Sequence, residues 1–232
     1  MLYGSFYGYP DWTYALIILS FLISMGAQIM VKSAFNKYSK EINSRGYTGA
    51  QAAREILDKN GLNHVQIEHV SGTLSDHFDP RSNVVRLSDS VYGSESVAAV
   101  GIAAHEVGHA IQYSEKYAPM KIRGFIVPTT QFAPYVSYLL LILGIMMSFP
   151  VLINIGIAIF CFVVFFQLIT LPVEFNASAR ALRTLERDEM LAKREMSGAK
   201  KVLNAAAMTY VAALITAMLQ LLRLIALSNR RR

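Results

Sequence analysis

The chain has 232 residues, of which 53% are hydrophobic and 16% charged, with a net charge of +6. So apolar a chain excludes intrinsic disorder, and a single cysteine, Cys161, excludes a disulfide scaffold. The charges are segregated: Trp12 to Val31, Gly124 to Val173 and Val202 to Leu222 carry none.

The first uncharged run has the length of one membrane crossing, about 20 residues. No Lys or Arg precedes it and no small-x-small cleavage site follows, so it reads as an uncleaved anchor. Lys32, Lys37, Lys40 and Arg45 come next. That order places the N-terminus outside and the following segment in the cytoplasm.

Residues 32–123 have the charge density of a soluble domain. Thr48-Gly49-Ala50-Gln51 forms a capping box, Ala52, Ala53, Ile56 and Leu57 follow at helical spacing, and Asn60-Gly61 ends the helix. Val65 to Val70 alternates as a strand, Leu74 to Phe78 reads as a second, and Val84 to Leu87 as a third after the turn at 79–83. Together they predict a small antiparallel sheet. Ser94 then caps a helix over about 95–117.

That helix contains His105-Glu106-Val107-Gly108-His109, an H-E-x-x-H pattern. Residues four apart share a helix face, so the two imidazoles can point at one metal ion. Zinc accepts imidazole nitrogen readily, and a catalytic site has three protein ligands and a water. Glu106 sits one residue along, placed to take a proton from a water polarised by the metal. The third ligand must come from elsewhere: His64, His69, His77 or a downstream carboxylate.

The 50-residue run from Gly124 would be roughly 75 Å long as one helix, more than twice a bilayer core. It must fold back, and Ser148-Phe149-Pro150 is the expected bend, giving spans near 127–148 and 151–171. Pro128 and Pro134 start or kink the first. Glu174 is the first charge after this run. A carboxylate at the lipid boundary is costly unless compensated, which a metal would do; the alternative is an ordinary acid at a helix start after Pro172. If Glu174 joins the two histidines, the chain crosses the membrane an even number of times between 123 and 174, in agreement with the hairpin. The run 202–222 is a possible fourth span, although Arg223 and Arg230 to Arg232 would then fall on the outer side. The basic residues flank spans and form no aromatic-interleaved stripe, which speaks against nucleic acid.

The chain resembles the YugP-like neutral zinc metallopeptidases of bacteria over essentially its whole length. The resemblance rests on Ser75-Asp76-His77-Phe78-Asp79-Pro80-Arg81, Ala103 to Gln112, Pro172 to Ser178 and Thr209 to Ala213. The arrangement is also similar to the HtpX and CAAX prenyl protease group, in which an HExxH helix precedes membrane helices and a glutamate ligand. The resemblance implies His105, His109 and Glu174 as zinc ligands and Glu106 as catalytic base. One departure stands out: that group has an aspartate four residues after the glutamate, and here the position is Ser178. Asn176 or Ser178 could serve through hydrogen bonds instead, and the resemblance assigns neither. The segment around His77 is a candidate for strand addition of a peptide, and Tyr210 for an oxyanion donor or simple packing.

The expectation is therefore a mostly α membrane protein with transmembrane helices and a small α+β zincin-like domain carrying HExxH on a helix. Its segments are an anchor (1–31), a catalytic segment (32–123), a transmembrane hairpin (124–173), a helix with the third ligand (174–201), and an apolar C-terminal helix with a basic tail (202–232). It would be a multi-pass cell-membrane zinc peptidase acting on a protein or peptide at the cytoplasmic face. A catalytically silent zinc-binding scaffold is the alternative. The sequence leaves substrate-binding residues and oligomeric state unassigned.

Overall fold

The computed structural model describes residues 12–229. The expected Arg230 to Arg232 tail and the segment before Trp12 lie outside the described residues. The elements run α1 (Thr13–Tyr38), α2 (Gly49–Lys59), β1 (Gln66–Val70), β2 (His77–Asp79), β3 (Val84–Ser88), α3 (Val97–Ser114), α4 (Ala118–Thr130), α5 (Ala133–Met146), α6 (Pro150–Arg187) and α7 (Lys193–Asn229).

They form two compact units. One comprises residues 27–125 and 169–210. Its core gathers Ile56 and Leu57 of α2, Val85 and Leu87 of β3, Val100, Ala103 and Val107 of α3, Val173 and Leu185 of α6, and Ala199 and Leu203 of α7. Each fully buried aliphatic side chain there contributes roughly 1.5–3 kcal/mol. The other unit takes in 12–26, 126–168 and 211–229 of the described residues. Its cluster is Leu141, Ile153, Phe160 and Leu224.

The capping box forms as the sequence predicts: Thr48 accepts from the Gln51 amide and the Gln51 side chain accepts from the Thr48 amide. Asn60 caps the C-terminus, and Gly61 takes a φ of +70° that only glycine adopts freely. Helix α3 is capped by Ser96, whose hydroxyl accepts from the Ala99 amide, two residues later than the predicted Ser94 cap.

The sheet departs from expectation. It is mixed, ordered β1-β3-β2, with β1 parallel to β3 and β2 antiparallel to β3. Burial explains the order. Val84, Val85, Leu87 and Ser88 are all buried, so β3 belongs in the middle, whereas β1 is largely exposed and β2 is only three residues long. The second strand forms at His77–Asp79 rather than 74–78, and Leu74 adopts a positive φ of 57°.

Among the described residues, three helices, α1, α6 and α7, are long and apolar enough to cross a membrane. The pair α4 and α5 passes the same test together but bends by 46° at its junction. Pro134 stands in the first turn of α5, and Pro128 lies inside α4. Ser148, with φ 52°, turns the chain into α6 at Pro150, the predicted reversal. Helix α6 then runs unbroken through Pro172 and Glu174 to Arg187. Glu174 is therefore no helix-start acid.

Candidate metal centre

Helix α3 is made for close packing. Fourteen of its eighteen residues are buried, and small side chains such as Ala98, Ala99, Gly101, Ala103, Ala104 and Ala110 let neighbours approach from several sides. At Gly108 the approach is closest. A Cβ there would stand 2.8 Å from the Ala177 carbonyl oxygen and 3.3 Å from its Cα, both on α6. This contact sets the spacing between α3, which carries the histidines, and α6, which carries Glu174.

The result is a cluster of three side chains whose ligand atoms all lie within 4.8 Å of one another: His105, His109 and Glu174. The two Nε2 atoms are 3.2 Å apart. Glu174 Oε2 is 3.4 Å from His105 Nε2 and 3.6 Å from His109 Nε2. Its other oxygen, Oε1, is 3.3 Å from Arg123 Nη1 on α4. The carboxylate is almost wholly buried, yet neither oxygen receives a well-aligned hydrogen bond. Two imidazole nitrogens and a carboxylate oxygen converging on one point, with the carboxylate otherwise under-satisfied, fit a zinc ion in kind and number.

The far side of each imidazole is also engaged. His105 Nδ1 lies 3.1 Å from Ser178 Oγ, and His109 Nδ1 lies 3.0 Å from Gln112 Oε1. With Nδ1–H donating in both, each Nε2 lone pair faces the cluster. Gln112 is itself held: its Nε2 donates to the Val173 carbonyl at 2.8 Å and to Asn176 Oδ1 at 3.0 Å. Arg180 Nε donates to the same Asn176 oxygen, and its Nη2 pairs with Glu115 just beyond α3. Ser178, four residues after Glu174, thus contacts His105, and Asn176 reaches His109 through Gln112.

Glu106 is buried on the same helix, and its Oε2 accepts the Phe78 amide of β2 at 3.0 Å. Burial pushes its pKa up to about 7, against the lowering effect of His105. Phe78 donates to Glu106 from the side of β2 turned away from β3. Tyr210 of α7 lies within electrostatic reach of Glu174, Arg123 and Glu106.

The remaining sequence candidates lie apart from this cluster. His69 pairs with Asp89 at 2.6 Å, the His77 ring contacts the Ser75 carbonyl, and His64 is exposed. Arg123 and Gln112 are the site residues that sequence reading did not single out. Gln112 stands three residues after His109, on the same face, and that spacing was the available signal. Arg123 offered none, since only the fold brings α4 to α6.

A family model described as "Putative neutral zinc metallopeptidase" matches residues 13–229. A curated protein of Bacillus subtilis (strain 168), named "Putative membrane protease YugP", is 49% identical over 210 residues, which is 90% of this chain and 93% of that protein. No solved structure matches.

Proposed function

Because the chain belongs to this zinc metallopeptidase family, we propose that it is a multi-pass membrane zinc endopeptidase hydrolysing peptide bonds at the cytoplasmic face. His105, His109 and Glu174 are its metal ligands and Glu106 its general base. The observation that carries this reading is the convergence of His105, His109 and Glu174 within 4.8 Å, from helices separated in sequence by a long uncharged run.

A zinc ion held by His105, His109 and Glu174 would supply the Lewis acidity that activates water and polarises a carbonyl. The protein does the rest. Glu106 accepts the proton of the attacking water and passes it to the leaving amine. The Phe78 amide orients the Glu106 carboxylate, and Ser178 and Gln112 fix the histidine tautomers. The segment around His77, whose neighbour Phe78 bonds Glu106, is the proposed place for an extended peptide to add as a further strand. The residues 27–125 and 169–210 then act as one zincin-like catalytic domain.

Glu106→Gln tests the proposal. The purified variant keeps its zinc and loses peptidase activity by about a hundredfold or more. An active variant would overturn the mechanism. A wild-type protein that binds zinc but cleaves no peptide across a broad library would favour the silent scaffold.

A further inference from the structure

We propose that the groove between α1 and α7 is a binding site for an anionic phospholipid, on the reading that the chain is embedded in a bilayer. The groove has a volume of about 440 Å³ and is lined by Met30, Ser33, Ala34, Lys37 and Tyr38 of α1 and by Lys201, Asn204, Ala205 and Met208 of α7.

Four residues on each helix recur at the same spacing. Positions 30, 33, 34 and 37 on α1, and 201, 204, 205 and 208 on α7, each follow i, i+3, i+4, i+7, so each set is one helix face. The helices run antiparallel, since Gly198 packs on Tyr38, Val202 clusters with Phe35 and Tyr38, and Ser24 Oγ lies 3.2 Å from Thr216 Oγ1. The two sequences therefore meet like with like. Met30 stands level with Met208, Ser33 and Ala34 with Asn204 and Ala205, and Lys37 with Lys201.

The groove is graded from thioether to amide and hydroxyl to ammonium over seven residues, about 10 Å of helix. Its apolar end belongs to the uncharged runs, which include Met30 and Met208, and its basic end lies just beyond them. That is the order in which a phospholipid presents its acyl chain, its ester and glycerol groups, and its phosphate. The headgroup layer of a leaflet is roughly 5–7 Å deep, and lysine stems extend the reach of their charges along it.

Charge decides the class of lipid. Lys37 and Lys201 are exposed and form no ion pair among the described residues. Lys37 Nζ is held 5.4 Å from the centroid of the Tyr38 ring at the same end of the groove. Two uncompensated ammonium groups favour a headgroup with net negative charge over a zwitterion. The small Ala34 and Ala205 leave the space between the helices open, over a floor made by Phe35, Tyr38, Val202 and Ala98 of α3.

The test uses the full chain, floated with vesicles of phosphatidylcholine alone and with an equimolar phosphatidylcholine–phosphatidylglycerol mixture. It is then extracted in detergent, and its retained lipids are counted by native mass spectrometry. The wild-type protein floats with both vesicles and retains phosphatidylglycerol. The double variant Lys37→Gln/Lys201→Gln floats equally well but retains phosphatidylglycerol on the order of tenfold less or lower. Lys37→Arg/Lys201→Arg keeps it. The control Lys32→Gln/Lys40→Gln, both exposed and outside the groove lining, also keeps it. Equal retention of the two lipids by the wild type, or an equal loss in the control variant, overturns the proposal while leaving the membrane reading intact. A chain that floats with neither vesicle overturns both.

Discussion

Glu174 shows how much one side chain depends on its surroundings. A carboxylate buried to this degree needs compensation, and the structure offers two imidazoles on Oε2 and a guanidinium on Oε1. Glu174→Ala should lower zinc stoichiometry, measured by elemental analysis of the purified protein; unchanged zinc content would move the third ligand elsewhere. Gln112 is the informative residue one step out. It touches His109, Asn176 and the Val173 backbone, so it holds one proposed ligand against the helix that bears another. Gln112→Ala should weaken zinc binding by about tenfold to a hundredfold while the protein stays folded. Competition with a chelator, with circular dichroism as control, measures both.

At the scale of elements, the α3–α6 contact decides whether the ligands meet. Gly108 is the point of closest approach, and its neighbour there is backbone, which cannot swing aside. Gly108→Ala would gain about 1 kcal/mol of helix propensity in isolation. Overpacking against Ala177 costs about 1–3 kcal/mol and should win, because the two helices must separate to admit the methyl group. The expected outcome is a lower unfolding temperature together with reduced zinc content. A variant both more stable and fully metallated would show that the contact does not set the site. The same contact accounts for the small-residue composition of α3. This helix, interrupted by His105, Glu106, His109 and Gln112, is buried by protein, among α2, the sheet, α6 and α7.

At the scale of the whole molecule, the segregation of charge reads as a path through a membrane. The proposed topology returns the chain to one side after α5 and α6, because Glu174 must rejoin a site whose histidines precede both. In a Cys161→Ser background, cysteines at Asn60 and Glu186 should label from the same side of sealed vesicles. A cysteine at Met147, next to the turn before α6, should label from the other. Opposite labelling of the first two would break the even-crossing argument and with it the proposed catalytic face.

Local pattern carried the first level of this protein. Charge-free runs, the capping box at Thr48, the reversal before Pro150 and the spacing of His105, Glu106 and His109 are all short-range signals, and periodicity or turn chemistry makes them legible. Glu174 was legible as an anomaly of position. Strand order was not, because a hairpin and a crossover use the same strand patterns. Only burial of β3 on both faces put it in the centre. The partners of the site were hidden for the same reason. Ser178 beneath His105, Gln112 linked to Asn176, Arg123 beside Glu174 and the matched faces of α1 and α7 are contacts between distant segments. The sequence determined which residues stand at metal-ligand spacing on one helix and where the lipid-like stretches lie. Which side chains stand within reach of those residues was decided by tertiary packing, since proximity across tens of residues depends on how whole helices close on one another.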